Sequence, residues 1–153
     1  GLGDVYKRQE LVLGLLFLAW SWGLISLGQI VLITASLTLG IYDFRHQEYP
    51  LLVWMTFHLI LMAFCGWNLV MIFFLALGIM AHFIDIRMGA GDFLFLASCA
   101  LVFSPTELLI LIQFASATGI LAFLLQKKKE RLPFVPFLLL AACLIIFGKL
   151  LLV

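Results

Sequence analysis

An all-α fold, a polytopic membrane bundle of about seven transmembrane helices, is predicted by three features of the chain. Of its 153 residues, 65% are hydrophobic and 11% charged, and the mean hydropathy is +1.23. A soluble domain is about 45–50% apolar and about 25% charged. The apolar residues come in long continuous runs without strict alternation. That is the pattern of helices, which satisfy their own backbone hydrogen bonds in lipid. The basic residues fall on every second break between the runs, as the positive-inside bias requires. A net charge of +1 carries no basic signature, and the bilayer rather than nucleic acid is the expected partner.

The segments follow in order. Residues 1–9, GLGDVYKRQ, are polar and lead into no pattern; they are set aside as a non-native or truncated tail. The remaining 10–153 form one domain. The first apolar run covers about Leu11 to Leu27 and ends in a Gly28-Gln29 turn. The second covers about Ile30 to Tyr42 and ends in DFRHQEYP. The third, Leu51 to Cys65, stops at GWN, and the fourth, Leu69 to Ile84, at DIRMGAGD. The fifth, Phe93 to Phe103, is short enough to be re-entrant and ends in SPTE. The sixth, Leu108 to Leu125, ends in QKKKERLP, where Pro133 and Pro136 set the start of a seventh, Phe134 to Val153. Several runs are shorter than the ~20 residues that cross a bilayer, so their boundaries are expected to extend into the polar flanks.

Placing residue 10 on the cytoplasmic side and alternating tests this order. Lys7, Arg8, Arg45, Arg87, Lys127, Lys128, Lys129 and Arg131 then lie inside, and Lys149 alone of the nine basic residues does not. The pattern survives removal of Lys7 and Arg8. Trp20, Trp22 and Trp67 fall toward the outer side, as an aromatic belt does.

The same alternation brings two acidic breaks to one face. Asp43 follows Tyr42 at the end of an apolar run, and Asp92 opens another. Each alone reads as a loop residue. Two carboxylates sharing a site, however, hold one proton between them, because both cannot ionise easily. The ionised member then takes a proton from water while the protonated member polarises a peptide carbonyl, which is acid–base peptide hydrolysis. Gly89 and Gly91, lacking side chains, allow a substrate backbone to approach. Asp92 lies near a helix N-terminus and Asp43 near a C-terminus, so Asp92 is expected to ionise more readily. The pattern G-x-G-D is weak by itself: Gly1-Leu2-Gly3-Asp4 matches it too, with no apolar run before it.

Three stretches together resemble the type IV prepilin peptidases. IYDFRHQEYPLLVW resembles their first aspartate motif, MGAGDFLFLASCALV their second, and LPFVPFLLLAACL the start of their last helix. The order is right, and the matches cover most of residues 10–153. Glu48-Tyr49-Pro50 and Phe93 resemble the competence-type members of Gram-positive bacteria. The resemblance implies a membrane aspartic protease of the bacterial plasma membrane, with Asp43 and Asp92 as its catalytic pair. Such enzymes cut basic leader peptides from prepilin or pseudopilin substrates at the cytoplasmic face. Leu94 stands where many members carry Lys. Their four-cysteine zinc module is not present, and Glu10-Leu11 onward resembles the stretch just after it. A first helix and that module are therefore expected to be missing from this chain. The methyltransferase activity associated with the family is left without support; the aspartate pair is untouched.

The other polar residues have plainer roles open to them. Asp85 and Glu48 are candidates to receive the leader's Lys or Arg, although a solvated helix end is the commoner role. Arg45 and Arg87 suit anchoring to an anionic leaflet. His58, His82 and Gln113 lack ligand spacing and are expected to bond between helices. Cys65, Cys99 and Cys143 form no CxxC pair and are expected as small core residues, so neither a metal nor another cofactor is predicted. Two alternatives remain. A presenilin or signal-peptide-peptidase type also uses Y-D and G-x-G-D, but LPFVPF occupies the place of its Pro-Ala-Leu element. A non-catalytic transporter or scaffold is the other; transport favours charges near the midplane, whereas these acids gather at one interface.

Overall fold

The computed structural model describes residues 2–46, 50–84, 89–125 and 134–151, with side chains for all of these except 2–9, 43–46, 150 and 151. Seven helices and no strand occur among them: α1 Leu2–Ser21, α2 Leu27–His46, α3 Leu51–Cys65, α4 Leu69–Phe83, α5 Ala90–Val102, α6 Pro105–Leu125 and α7 Val135–Leu151. The α1 helix runs back through the stretch set aside as a tail.

Local hydrogen bonding explains where the helices start, and it moves two expected boundaries. The first turn lies at 22–26, not at Gly28-Gln29. Leu24 N donates to Ala19 O and Gly23 N to Trp20 O, with Gly23 at φ +71. This is the Schellman ending, whose left-handed residue is cheap only for glycine. Ser26 and Gln29 then cap α2 reciprocally: Gln29 N donates to Ser26 Oγ at 3.2 Å, and Ser26 N to Gln29 Oε1 at 2.8 Å. The break SPTE is likewise the start of α6. Ser104 N donates to Glu107 Oε2 at 2.8 Å, and Pro105 fills the first helical position, where no N–H donor is needed. In α4, Asn68 Oδ1 accepts from Met71 N at 2.7 Å. Pro136 sits in the first turn of α7 as expected.

With these starts, α6 has 21 residues, about 32 Å at ~1.5 Å per residue. Among the described helices it alone is long and apolar enough to cross a bilayer. The α3 and α4 helices keep 15 residues each and α5 has 13; the extension into polar flanks does not occur in α3 and α4.

The helices run up and down. Gly28 near the start of α2 packs on Cys65 at the end of α3, so these two are antiparallel. Trp54 of α3 bonds to Leu94 of α5, while Asn68, just beyond α3, donates to the Ala100 carbonyl; α3 and α5 are therefore parallel. Gly119 of α6 meets Phe134 and Phe137 at the start of α7, and Lys149 at its end pairs with Glu107. The centre is α5, which packs on α2, α3, α4 and α6 and buries every residue from Phe95 to Leu101. It runs from the end holding Asp92 to the end where Asn68 meets Ala100.

The outside is as apolar as the inside. Leu52, Leu69 and Phe83 are about four-fifths exposed, at 80%, 79% and 81%. Trp20, Trp22 and Trp67 are exposed at the end away from Asp92, whereas Trp54 is buried.

Candidate active site

The two predicted aspartates come to one end of the bundle. Position 43 lies in the last turn of α2. The inner face of α2 buries Leu32, Ser36, Leu39 and Gly40, and position 43 is the next step of that register, one turn beyond Leu39. The Asp43 side chain lies outside the described residues, as do Glu48 and Asp85 entirely. Five Cα-to-Cα steps lead from His46 to Leu51, a reach of at most about 18 Å, so the end of α2 lies near the start of α3. Trp54 in the first turn of α3 touches Leu94, two residues beyond Asp92. Since α2 also packs directly on α5, the helices carrying the two aspartates are neighbours, and their aspartate-bearing ends lie at the same end of the bundle.

Asp92 is half-buried in the first turn of α5. Gly89 is the N-cap, and Asp92 N donates to Gly89 O at 3.1 Å. The positive end of the helix dipole favours a carboxylate there, by about 0.3–1 kcal/mol. A Cβ added to Gly89 would stand 3.4 Å from Asp92 Oδ2, so the missing side chain leaves room beside the carboxylate. Gly91 is half-buried within the same turn. Leu94 packs on α4: a Cβ at Gly78 would lie 2.9 Å from Leu94 Cδ2. This apolar residue thus helps seat α5 against its neighbour.

Two residues absent from the sequence argument organise this end. Trp54 Nε1 donates to the Leu94 carbonyl at 3.0 Å and to Ser98 Oγ at 3.0 Å. His58 Nδ1 lies 2.9 Å from the same hydroxyl, and its ring stacks on Trp54 at 4.7 Å. A hydroxyl that accepts the indole proton is free to donate its own to His58 Nδ1, which puts the imidazole proton on Nε2. All three side chains are buried. His58 Nε2 finds no hydrogen-bond partner among the described residues, a cost of about 1–3 kcal/mol for a buried polar group. His58 therefore bonds between helices as expected. Trp54 and Ser98 were legible only in part. Trp54 and His58 stand at i and i+4, so they share a face of an otherwise apolar helix and need a polar partner, but nothing local points to Ser98.

Other expectations are corrected. His82 is exposed and stacks edge-on with its neighbour Phe83. Gln113 is exposed on α6. Neither bonds to another helix among the described residues, because each lies on an outward face. Cys99 is buried and Cys143 half-buried, but Cys65 is exposed at the end of α3.

Comparison with family models, curated proteins and solved structures gives no match to this chain.

Proposed function

We propose that the chain is a multi-pass membrane aspartic endopeptidase that removes the basic leader of type IV prepilin or pseudopilin substrates at the cytoplasmic face of a bacterial plasma membrane. One observation carries the reading: α2 and α5 are packed neighbours, and their aspartate-bearing ends lie at the same end of the bundle. Asp43 stands on the inner register of α2, and Asp92 is half-buried in the first turn of α5.

In this reading the two carboxylates share one proton. Asp92, favoured as the anion by the α5 dipole, takes a proton from water; Asp43, protonated, polarises the scissile carbonyl. Such a pair titrates as a unit. The room left by Gly89 admits the substrate backbone. Asp85 and Glu48 belong to the connections at this end and are the groups proposed to receive the leader's basic residues.

Membrane insertion is supported by the apolar outer surface of the bundle and by α6, which has the length to cross. Orientation is supported by charge. The connections at the aspartate end, 85–88 and 126–133, contain Arg87, Lys127, Lys128, Lys129 and Arg131, whereas the connections at the other end contain no Lys or Arg.

The test is co-expression with a prepilin-type substrate. Asp43→Asn and Asp92→Asn should each abolish leader removal while the protein still accumulates in the membrane. Cleavage persisting in both variants overturns the dyad.

A further inference from the structure

We infer that Trp54, His58 and Ser98 form a polar clamp between α3 and α5 that positions Asp92 relative to the α2–α3 hairpin carrying Asp43. The inference rests on the peptidase reading of those two aspartates and adds the residues that hold them in register.

The clamp joins the right elements. Trp54 lies in the first turn of α3, which the short 47–50 connection ties to the end of α2. Its indole grips the carbonyl of Leu94, two residues past Asp92, and the hydroxyl of Ser98, one turn further on. His58, stacked on the indole, holds the same hydroxyl. Positions 54 and 58 on α3 thus face positions 94 and 98 on α5, an i, i+4 pair against an i, i+4 pair. Two attachments one turn apart fix both the axial level of a helix and its rotation. Residue 92 lies about 200° around the axis from residue 94, at ~100° per residue. Rotating or sliding α5 would therefore swing the Asp92 carboxylate.

Apolar packing does not supply this restraint by itself. Burial of apolar surface is non-directional, and α5 is apolar on every side, with Phe95 to Leu101 all buried. Hydrogen bonds weaken steeply off-axis, so a few buried ones select a single register; that use of buried polar groups is known from coiled coils. The Leu94 carbonyl can accept the indole because a carbonyl oxygen has a second lone pair beyond the one used in the helix. The chain keeps His58 here although Nε2 is buried without a partner among the described residues; leucine would fill the space without that penalty. The hydrogen bond to Ser98 is what leucine cannot make. Trp54, His58 and Ser98 are positioning residues, since none touches the carboxylates in the described contacts.

The experiment uses the full chain in lipid nanodiscs, with amide hydrogen exchange and cleavage kinetics read in parallel. In Trp54→Phe, which keeps a ring but loses the donor, and in Ser98→Ala, exchange at residues 92–96 should rise about fivefold or more. Exchange at residues 100–102, held by Asn68 at the Ala100 carbonyl, should stay parental. The kcat for leader removal should fall by a similar factor with KM unchanged, because the substrate still binds while the carboxylate is misplaced. His58→Asn, whose amide occupies the place of Nδ1, should retain most of the rate; His58→Leu should not. Uniform loosening of the whole of α5, or unchanged exchange at 92–96 in Trp54→Phe, overturns the inference. So does local loosening with parental kcat. The two readings fail separately. Cleavage that survives both Asp43→Asn and Asp92→Asn removes the peptidase reading but leaves the exchange signature in place. Asp variants that are inactive, beside a Trp54→Phe chain parental in exchange and rate, remove the clamp alone.

Discussion

Lys149 pairs with Glu107 at the end of the bundle away from Asp92, joining the last turn of α7 to the first turn of α6. The pairing accounts for the one exception in the basic-residue pattern: the single Lys or Arg on that side has its charge matched. Glu107 also accepts the Ser104 N–H as part of the α6 cap. The two roles separate by mutation. Glu107→Gln should keep the cap, since glutamine serves there as well, and lose only the ion pair. With Lys149 57% exposed, that loss should be within about 0.2–1 kcal/mol and shrink in high salt. Glu107→Ala should cost roughly 1 kcal/mol more. Thermal unfolding in detergent checks both; equal midpoints for the two variants would show that the cap contributes nothing.

The close approach of α4 and α5 at Gly78 predicts a rescue. A methyl group there would stand 2.9 Å from Leu94 Cδ2 and 3.1 Å from Cγ, with the Ala90 carbonyl at 3.5 Å. Gly78→Ala should destabilise by about 1–3 kcal/mol through overpacking. Leu94→Ala in the same chain should recover part of it, because the added methyl then fills space that the leucine vacates. Strictly additive losses in unfolding experiments would mean that the two residues are not coupled.

Gly89 tests crowding beside the candidate catalytic carboxylate. Its backbone, at φ −64 and ψ 139, is one that any residue adopts, so Gly89→Ala adds no backbone strain. The new Cβ would lie 3.4 Å from Asp92 Oδ2, at the close end of ordinary contact. Leader removal should drop a few-fold with helix content unchanged by circular dichroism, and Gly89→Val should drop it further. A parental rate in the valine variant would deny the glycine any part in the site.

The reciprocal cap of α2 makes a prediction at the other end of that helix. Ser26→Ala removes the acceptor for the Gln29 N–H and should cost about 0.5–2 kcal/mol. Ser26→Thr should cost much less, since threonine also caps. The measurement is again the unfolding midpoint in detergent, and identical losses for the two variants would point to packing of the side chain instead of capping.

The bounds of α3 are legible in its apolar run, because Pro50 before it and Gly66 after it punctuate the chain locally. The starts of α2 and α6 carry the local signals S-L-G-Q and S-P-T-E, but polar cap residues that interrupt an apolar run resemble a loop. That positions 43 and 92 fall at one end of the bundle is legible too, since it follows from counting breaks.

The number and order of the helices, the end at which the acids and most of the bases gather, and the acidic residue at the start of α5 are readable along the chain. They depend on run length, caps and charge, all of which act within a turn or two. The central place of α5, the meeting of Trp54 and His58 with Ser98 and of Lys149 with Glu107, and the outward positions of His82, Gln113 and Cys65 come from packing alone. In a bundle as apolar outside as inside, hydrophobic periodicity does not tell a core face from an outer face. The inward faces are marked by close approaches at small residues such as Gly78 and by the few polar side chains whose partners lie some forty residues away.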